Sequence, residues 1–318
     1  MTATSYSYHP AETILDDISS SVLRTLLYFD IFRHPLTKHE LWLLSECPDL
    51  AESEMDTCAQ SLVQSGLVQE SEGFYFLHGN TSIVQERRTK NARAQHYHAP
   101  AAFFSRIIDC FPFTRAVFLS GSLSKGCMDA SSDIDYFIIT EPGRLWLNRT
   151  LLVLFKKLVL LNSYKFFCVN YSISSDNLEI PERNIYTAIE IAFLMPTRNS
   201  YLYESFMEHN AWVASYLPHF PLRDTSHVPL RNANRFKRAL ERLLSGSFGD
   251  RLEEFCFRIT VRNRRKKFAY LSDEEFSTAM RSTKNVAKHH PQNFQERVLT
   301  TLEAKCAAFE HAHNIRLT

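Results

Sequence analysis

Asp133 and Asp135 stand two residues apart in the stretch AVFLSGSLSKGCMDASSDIDYFIIT, residues 116–140 of a 318-residue chain. In an extended strand that spacing points both carboxylates to one side. Like charges this close repel and shift each other's pKa unless something positive sits between them. A divalent cation meets that need, and hard oxygen ligands suit Mg2+ or Mn2+. About a dozen residues upstream, Ser120-Gly121-Ser122 has the composition of a tight turn. Gly121 lets backbone approach a ligand closely, and Ser122, opening a helix, offers a hydroxyl and N–H groups to a phosphate. Metal-holding acids beside an anion cradle are the parts that transfer of a nucleotidyl group needs. The competing reading is an acidic turn, DASSDID, that caps a strand.

The elements that must position these groups are legible around them. A buried strand is expected at Ala116–Leu119 and a second at Ile134–Thr140, anchored by Ile134, Phe137 and Ile139. Pro142 opens a helix running to about Leu161. KFFCVNYSI, residues 165–173, is rich in aromatic and β-branched residues and reads as a third strand, with LEI at 178–180 as a short edge strand. Residues 184–195 read as a helix closed by Pro196; Glu190 lies among its apolar positions and must be paired or functional.

Gly-Ser followed about a dozen residues later by Asp-x-Asp, each attached to a strand, resembles the active-site signature of the DNA polymerase beta-like nucleotidyltransferase superfamily. The resemblance covers roughly residues 115–195. It implies a magnesium-dependent nucleotidyltransferase in which Gly121 and Ser122 bind the nucleoside triphosphate, with Lys125 a further contact. Asp133 and Asp135 would be the catalytic, metal-holding acids. An acceptor hydroxyl would attack the α-phosphorus and pyrophosphate would leave. The superfamily places a third carboxylate on the strand after Asp-x-Asp, yet residues 165–173 contain no Asp or Glu. Asn170 is the polar residue best placed there, and its amide oxygen can ligate a metal but brings no charge. Asp176 or Glu190 are the other stand-ins. Three options stay open: one-metal chemistry, a substituted third ligand, or a binding-only descendant.

The N-terminal part is organised differently. Ile14, Ile18, Val22, Leu26 and Phe29 predict a helix within residues 11–32, ended by Pro35. Thr37 is placed to cap a short helix at Lys38–Leu44, and a third helix is expected at Glu52–Gln64, stopping at Gly66. LVQESEGFYFLHG then reads as two strands joined at Glu72-Gly73. Three helices and a hairpin resemble a winged-helix domain, whose third helix often binds DNA. Here that helix carries Glu52, Glu54 and Asp56 and no Lys or Arg, and the hairpin adds Glu70 and Glu72. Cations meeting phosphates carry most duplex affinity, so a packing or partner-docking module is favoured over DNA reading.

Residues 81–110 predict a linking helix with Arg87, Arg88, Lys90 and Arg93 in its first half. His96 and His98 lack the three- or four-residue spacing of ligands on one helix face. Residues 198–318 read as helical, with helices at Ser200–Tyr216, Ala233–Leu244, Leu252–Lys267, Asp273–His289 and Asn293–His313. The basic segment RITVRNRRKK, residues 258–267, is a solvated face by default and otherwise a contact for the triphosphate, an RNA acceptor or an acidic partner. The His289-His290 pair reads as a helix end.

Composition sets the outer bounds. Thirty-six Lys and Arg against thirty-five Asp and Glu give a net charge of +1, which argues against a protein dominated by nucleic-acid or membrane electrostatics. The apolar run at Leu145–Leu161 is interrupted by Arg149, Lys156 and Lys157, so no membrane span is expected. The first residues lack the basic-then-apolar pattern of a signal peptide, and seven scattered cysteines without C-x-x-C pairs suit a reducing cytoplasm. The expectation is an α+β protein: a winged-helix-like domain (1–80), a linking helix (81–110), a small mixed-sheet nucleotidyltransferase core (111–197) and a C-terminal helical domain (198–318). Its substrates would be an NTP and a hydroxyl acceptor, small molecule or protein favoured over RNA. The alternative is a catalytically weak nucleotide-binding or regulatory protein that docks a partner through its N-terminal domain.

Overall fold

Asp16 starts the first helix of the chain: its Oδ1 accepts a hydrogen bond from Ser19 N at 2.8 Å, which satisfies one of the unpaired donors of the first turn. The computed structural model describes residues 13–77, 79, 81–163, 165–230, 234–289 and 293–318. The readings made on residues 1–12 and on His290 lie outside these. The chain is a mixture of helices and small sheets, an α+β protein.

The N-terminal part runs β1 (Thr13–Ile14), α1 (Asp17–Asp30), β2 (Leu36–Thr37), α2 (Lys38–Leu43), α3 (Glu52–Gln64), β3 (Gln69–Ser71) and β4 (Phe74–Phe76). Thr37 and Glu40 close a capping box at the start of α2. Glu72 and Gly73 have φ of +53° and +79°, the left-handed pair that suits a tight hairpin between β3 and β4. The three strands order β2-β4-β3. Val22, Leu23 and Leu26 of α1 and Met55, Ala59 and Leu62 of α3 are buried. Ile14 departs from the expected helix: the Asp16 cap sets the start three residues later, and Ile14 lies exposed in β1.

The long helix α4 (Ser82–Asp109) leads into β5 (Thr114–Ser120), the four-residue α5 (Gly121–Ser124), β6 (Asp135–Thr140), α6 (Leu145–Leu158) and β7 (Cys168–Ser174). Then follow α7 (Ile185–Ala192), β8 (Met195–Arg198), α8 (Ser200–His209), a 3-10 turn at Ala211–Ser215, α9 (Arg235–Leu243), α10 (Gly246–Lys267), α11 (Asp273–Ala279) and β9 (Val286–Lys288). The five strands order β8-β5-β6-β7-β9; β6 and β7 are parallel and the other pairs antiparallel. On one face, Val117, Leu119, Tyr136 and Ile138 pack with Ala94, Ala101 and Ile108 of α4 and Leu152 of α6. The other face is aromatic: Phe118 and Phe137 stack and meet Tyr203 and Phe206 of α8.

Four expectations are corrected. Pro196 does not close the helix of residues 184–195; that helix ends at Ala192, and Pro196 sits within β8. An edge strand tolerates a residue without an N–H. Residues 273–289 are not one helix, since α11 stops at Ala279 and β9 follows, adding a strand to the sheet. The region from 198 onward is therefore not wholly helical. Residues 178–180 form no strand. Among the described residues no helix is long and apolar enough to cross a membrane.

The last helix, α12 (Phe294–His313), leads to β10 (Ile315–Arg316), which pairs in parallel with β1. Contacts divide the chain into two units: residues up to 85 with 217–220 and 297–318, and residues 86–216 with 221–296. By contacts, most of α12 belongs with the N-terminal elements while α8 to α11 belong with the five-stranded sheet.

Candidate functional site

The antiparallel register of β5 and β6 sets Ser120 beside Asp135, so the Gly121 turn leaves one strand where the acidic end of its neighbour begins. Gly121 has φ +67°. A Cβ built there would run into the Asp135 carboxyl, with its Cγ at 3.2 Å. Only glycine accommodates both the left-handed conformation and that approach. Ser122 is half-buried in α5, and its hydroxyl makes no hydrogen bond to protein among the described residues.

Asp135 opens β6 on the aromatic face, with Phe137 and Ile139; Ile134 is fully buried on the other face. Ile134 is held extended by its N–H to Lys165 O at 2.9 Å and by Cys168 N to its own carbonyl at 3.1 Å. Asp133, half-buried just before the strand, has no hydrogen bond or ion pair to protein among the described residues. Burial, chiefly, pushes the Asp135 carboxyl up to about 7, and the charges of Asp133 and Glu190 push the same way; Cys168 and Lys125 oppose them. By accessible area Asp135 is only half-buried, so the protein packed around its carboxyl, rather than complete sealing, carries the rise.

On the third strand, Asn170 is bonded between Asp135 and Cys168. Asn170 Nδ2 donates to Asp135 Oδ1, and Asn170 Oδ1 accepts from the Cys168 thiol at 3.1 Å. In this arrangement the amide presents its N–H groups, not its oxygen, to Asp135. Burial, with Asp135 second, holds the Cys168 thiol far above its usual range, so it stays a neutral donor. Asp176 is excluded as a stand-in: parallel pairing sets Cys168 beside Asp135 and Ser174 beside Thr140, so Asp176 lies past the opposite end of the strand, bonded to Ser174 Oγ. Glu190 of α7 does come within electrostatic reach of Asp135, but its Oε1 is paired with Lys125 Nζ at 2.8 Å. Lys125 also donates to Gly121 O at 3.3 Å. The one partner thus accounts for both residues singled out beyond the signature itself.

Two neighbours, Arg223 and Tyr186, were not visible as site residues in the sequence. Arg223, from the loop after the 3-10 turn, donates to Ser124 O at 3.2 Å, and its guanidinium lies 5.9 Å from the Phe193 ring. Lys125 approaches the same ring at 5.9 Å, so two cations border the Gly-Ser turn. Arg223 Nε is buried without a partner, and desolvation lowers the Arg223 pKa. Tyr186 of α7 is raised by burial and then by Glu190 and Asp135, which locates it beside both acids. No local pattern marks Arg223; it arrives a hundred residues downstream of the turn through chain reversal alone.

Among the described residues no three His, Cys, Asp or Glu side chains gather as a ready metal set. The groups present still fit magnesium, which commonly keeps several waters and uses one or two carboxylates plus substrate phosphates. The unpartnered Asp133 and the neighbouring Asp135 are the donor pair whose charges such an ion would neutralise. A cleft of about 580 Å³, lined by Arg115, Glu141, Arg144 and Glu241 among others, lies elsewhere. It adjoins the other end of β6, roughly 20 Å away at about 3.3 Å per residue, and is separate from these acids. No family model, curated protein or solved structure matches the chain.

Proposed function

We propose that the unit built on the five-stranded sheet is a magnesium-dependent nucleotidyltransferase that moves an NMP group from an NTP to a hydroxyl acceptor and releases pyrophosphate. The observation that carries this reading is the convergence of the Gly121 turn on Asp135, with Asp133 unpartnered beside it and Lys125 and Arg223 bordering the turn. Asp133 and Asp135 would hold Mg2+, which supplies charge neutralisation along the triphosphate. Gly121 admits the phosphates to close range, Ser122 donates its free hydroxyl, and Lys125 and Arg223 offset developing negative charge. Asn170 orients Asp135 rather than ligating, and Glu190 restrains Lys125.

The test is transfer of label from each α-labelled NTP in the presence of Mg2+, to the protein itself and to added acceptors. Wild type is expected to release pyrophosphate, while Asp133→Ala and Asp135→Ala lose transfer with the fold retained by circular dichroism. Equal turnover by those variants removes the reading. A second reading rests on Asn170 occupying the strand position where the superfamily has a carboxylate: a nucleotide-binding or regulatory protein that docks a partner through the N-terminal elements. It predicts metal-dependent NTP binding without pyrophosphate release.

A further inference from the structure

Arg149 of α6 and Arg264 of α10 are both more than nine-tenths buried, each 7% exposed. Arg149 Nη1 donates to Val169 O at 3.2 Å, and that is its hydrogen bond among the described residues. Arg264 Nη1 donates to Ser282 Oγ at 2.7 Å and to Lys288 O at 3.1 Å, with the guanidinium 5.4 Å from the Trp146 ring. Neither forms an ion pair with a carboxylate among the described residues. Each leaves most of its N–H donors without a protein acceptor.

Buried charges are normally paired, because removing an ion from water costs several kcal/mol. These two not only lack a counter-charge but come from adjoining positions: Arg264 lies over Trp146, one helical turn before Arg149 on α6, and His289 N donates to Asn170 O at 3.0 Å, which brings their carbonyl acceptors on β9 and β7 together. Burial, and then the Arg149 charge, pull Arg264 down to about 8, and burial pulls Arg149 to about 10. Arginine keeps its proton far more stubbornly than other cations, so deprotonation is a poor escape. The neighbouring Cys168 thiol is held neutral and supplies no negative charge. A bound oxyanion would satisfy the unused donors and cancel the repulsion, and two planar guanidiniums match its geometry.

We propose that Arg149 and Arg264 form an anion site for a phosphate group at the β7–β9 edge of the sheet, built from residues other than those of the Gly121–Asp135 centre. The proposal does not rest on the transfer reading, because the site needs neither metal nor chemistry. The experiment uses the full chain in EDTA, which removes metal from the acidic pair. Radiolabelled inorganic phosphate is followed by equilibrium dialysis for wild type, Arg149→Met, Arg264→Met and Ser122→Ala. Saturable binding by wild type and Ser122→Ala, weakened about tenfold or more in both arginine variants, is the expected result. Competition by AMP or by glycerol phosphate then tells whether the group arrives on a nucleotide or on another ester; competition by neither assigns free phosphate. Absence of saturable binding, binding that survives both arginine variants, or binding lost in Ser122→Ala overturns the site. Should the methionine variants fail to fold, melting of wild type decides. Phosphate must raise the midpoint above chloride at equal ionic strength, and no rise overturns the site equally.

Discussion

Asp135 is the residue whose protonation should be felt by the whole fold. Its folded pKa near 7 exceeds the ordinary carboxylate value of 3.8, so between those pH values the folded state holds more proton than the unfolded chain. Stability contributed here is therefore greatest below about pH 4 and is lost as pH rises through 7. Asp135→Asn removes that loss and is expected to be more stable than wild type at pH 8, by on the order of 1–2 kcal/mol after discounting for partial exposure. Mg2+ should raise the wild-type melting point at pH 8, have little effect at pH 5, and do nothing for Asp135→Asn. Thermal melts at the two pH values check all three outcomes. Gly121→Ala places a methyl against the Asp135 carboxyl at φ +67°. A cost of about 1–2 kcal/mol for the left-handed backbone alone is expected, together with loss of nucleotide binding measured by calorimetry.

At the scale of elements, α6 depends on α10 for its start. Arg144, at the head of α6, provides no side-chain cap. Glu253 of α10 does so from a distance in sequence, its two carboxylate oxygens accepting Trp146 N at 2.8 Å and Leu147 N at 2.7 Å. Leu145, Trp146 and Leu147 are thereby held in the core with Cys256. Glu253→Ala orphans both donors and is expected to destabilise by about 1–3 kcal/mol, with Glu253→Gln intermediate because one oxygen remains. Urea denaturation followed by tryptophan fluorescence, sensitive to Trp146, measures this.

At the scale of the molecule, the two ends of the described chain meet in one unit. β1 pairs with β10, Lys305 bonds Asp30, and Val298, Phe309, Ile315 and Leu317 are buried. At roughly 1.5–3 kcal/mol for each buried large side chain, their removal rivals the marginal stability of a small domain. A chain ending at residue 296 should therefore be cleaved by trypsin within residues 13–77 under conditions where the full chain resists, while the sheet unit remains protected. Equal resistance of the N-terminal elements would contradict this assignment of α12.

Local chemistry was legible without coordinates. The capping pattern Thr37-x-x-Glu40, the Glu72-Gly73 turn and the strands around Phe118 and Phe137 follow from period-two patterning and from residues whose backbone or capping preferences act within a few positions, while the approach of the Gly121 turn to Asp135 was expected only from the resemblance to a known signature. Strand Val286–Lys288 was not legible, because three residues at a sheet edge owe their conformation to pairing with β7 rather than to propensity. Pro196 likewise reads as a stop until the edge position of β8 makes its missing N–H harmless. Tertiary structure alone decided the partners: Asn170 on Asp135, Glu190 on Lys125, Arg223 beside Ser124, and Arg149 within electrostatic reach of Arg264. Charge and hydrogen bonding act through space over a few ångströms, and which residues stand that close is set by how strands register and helices pack, not by their separation along the chain.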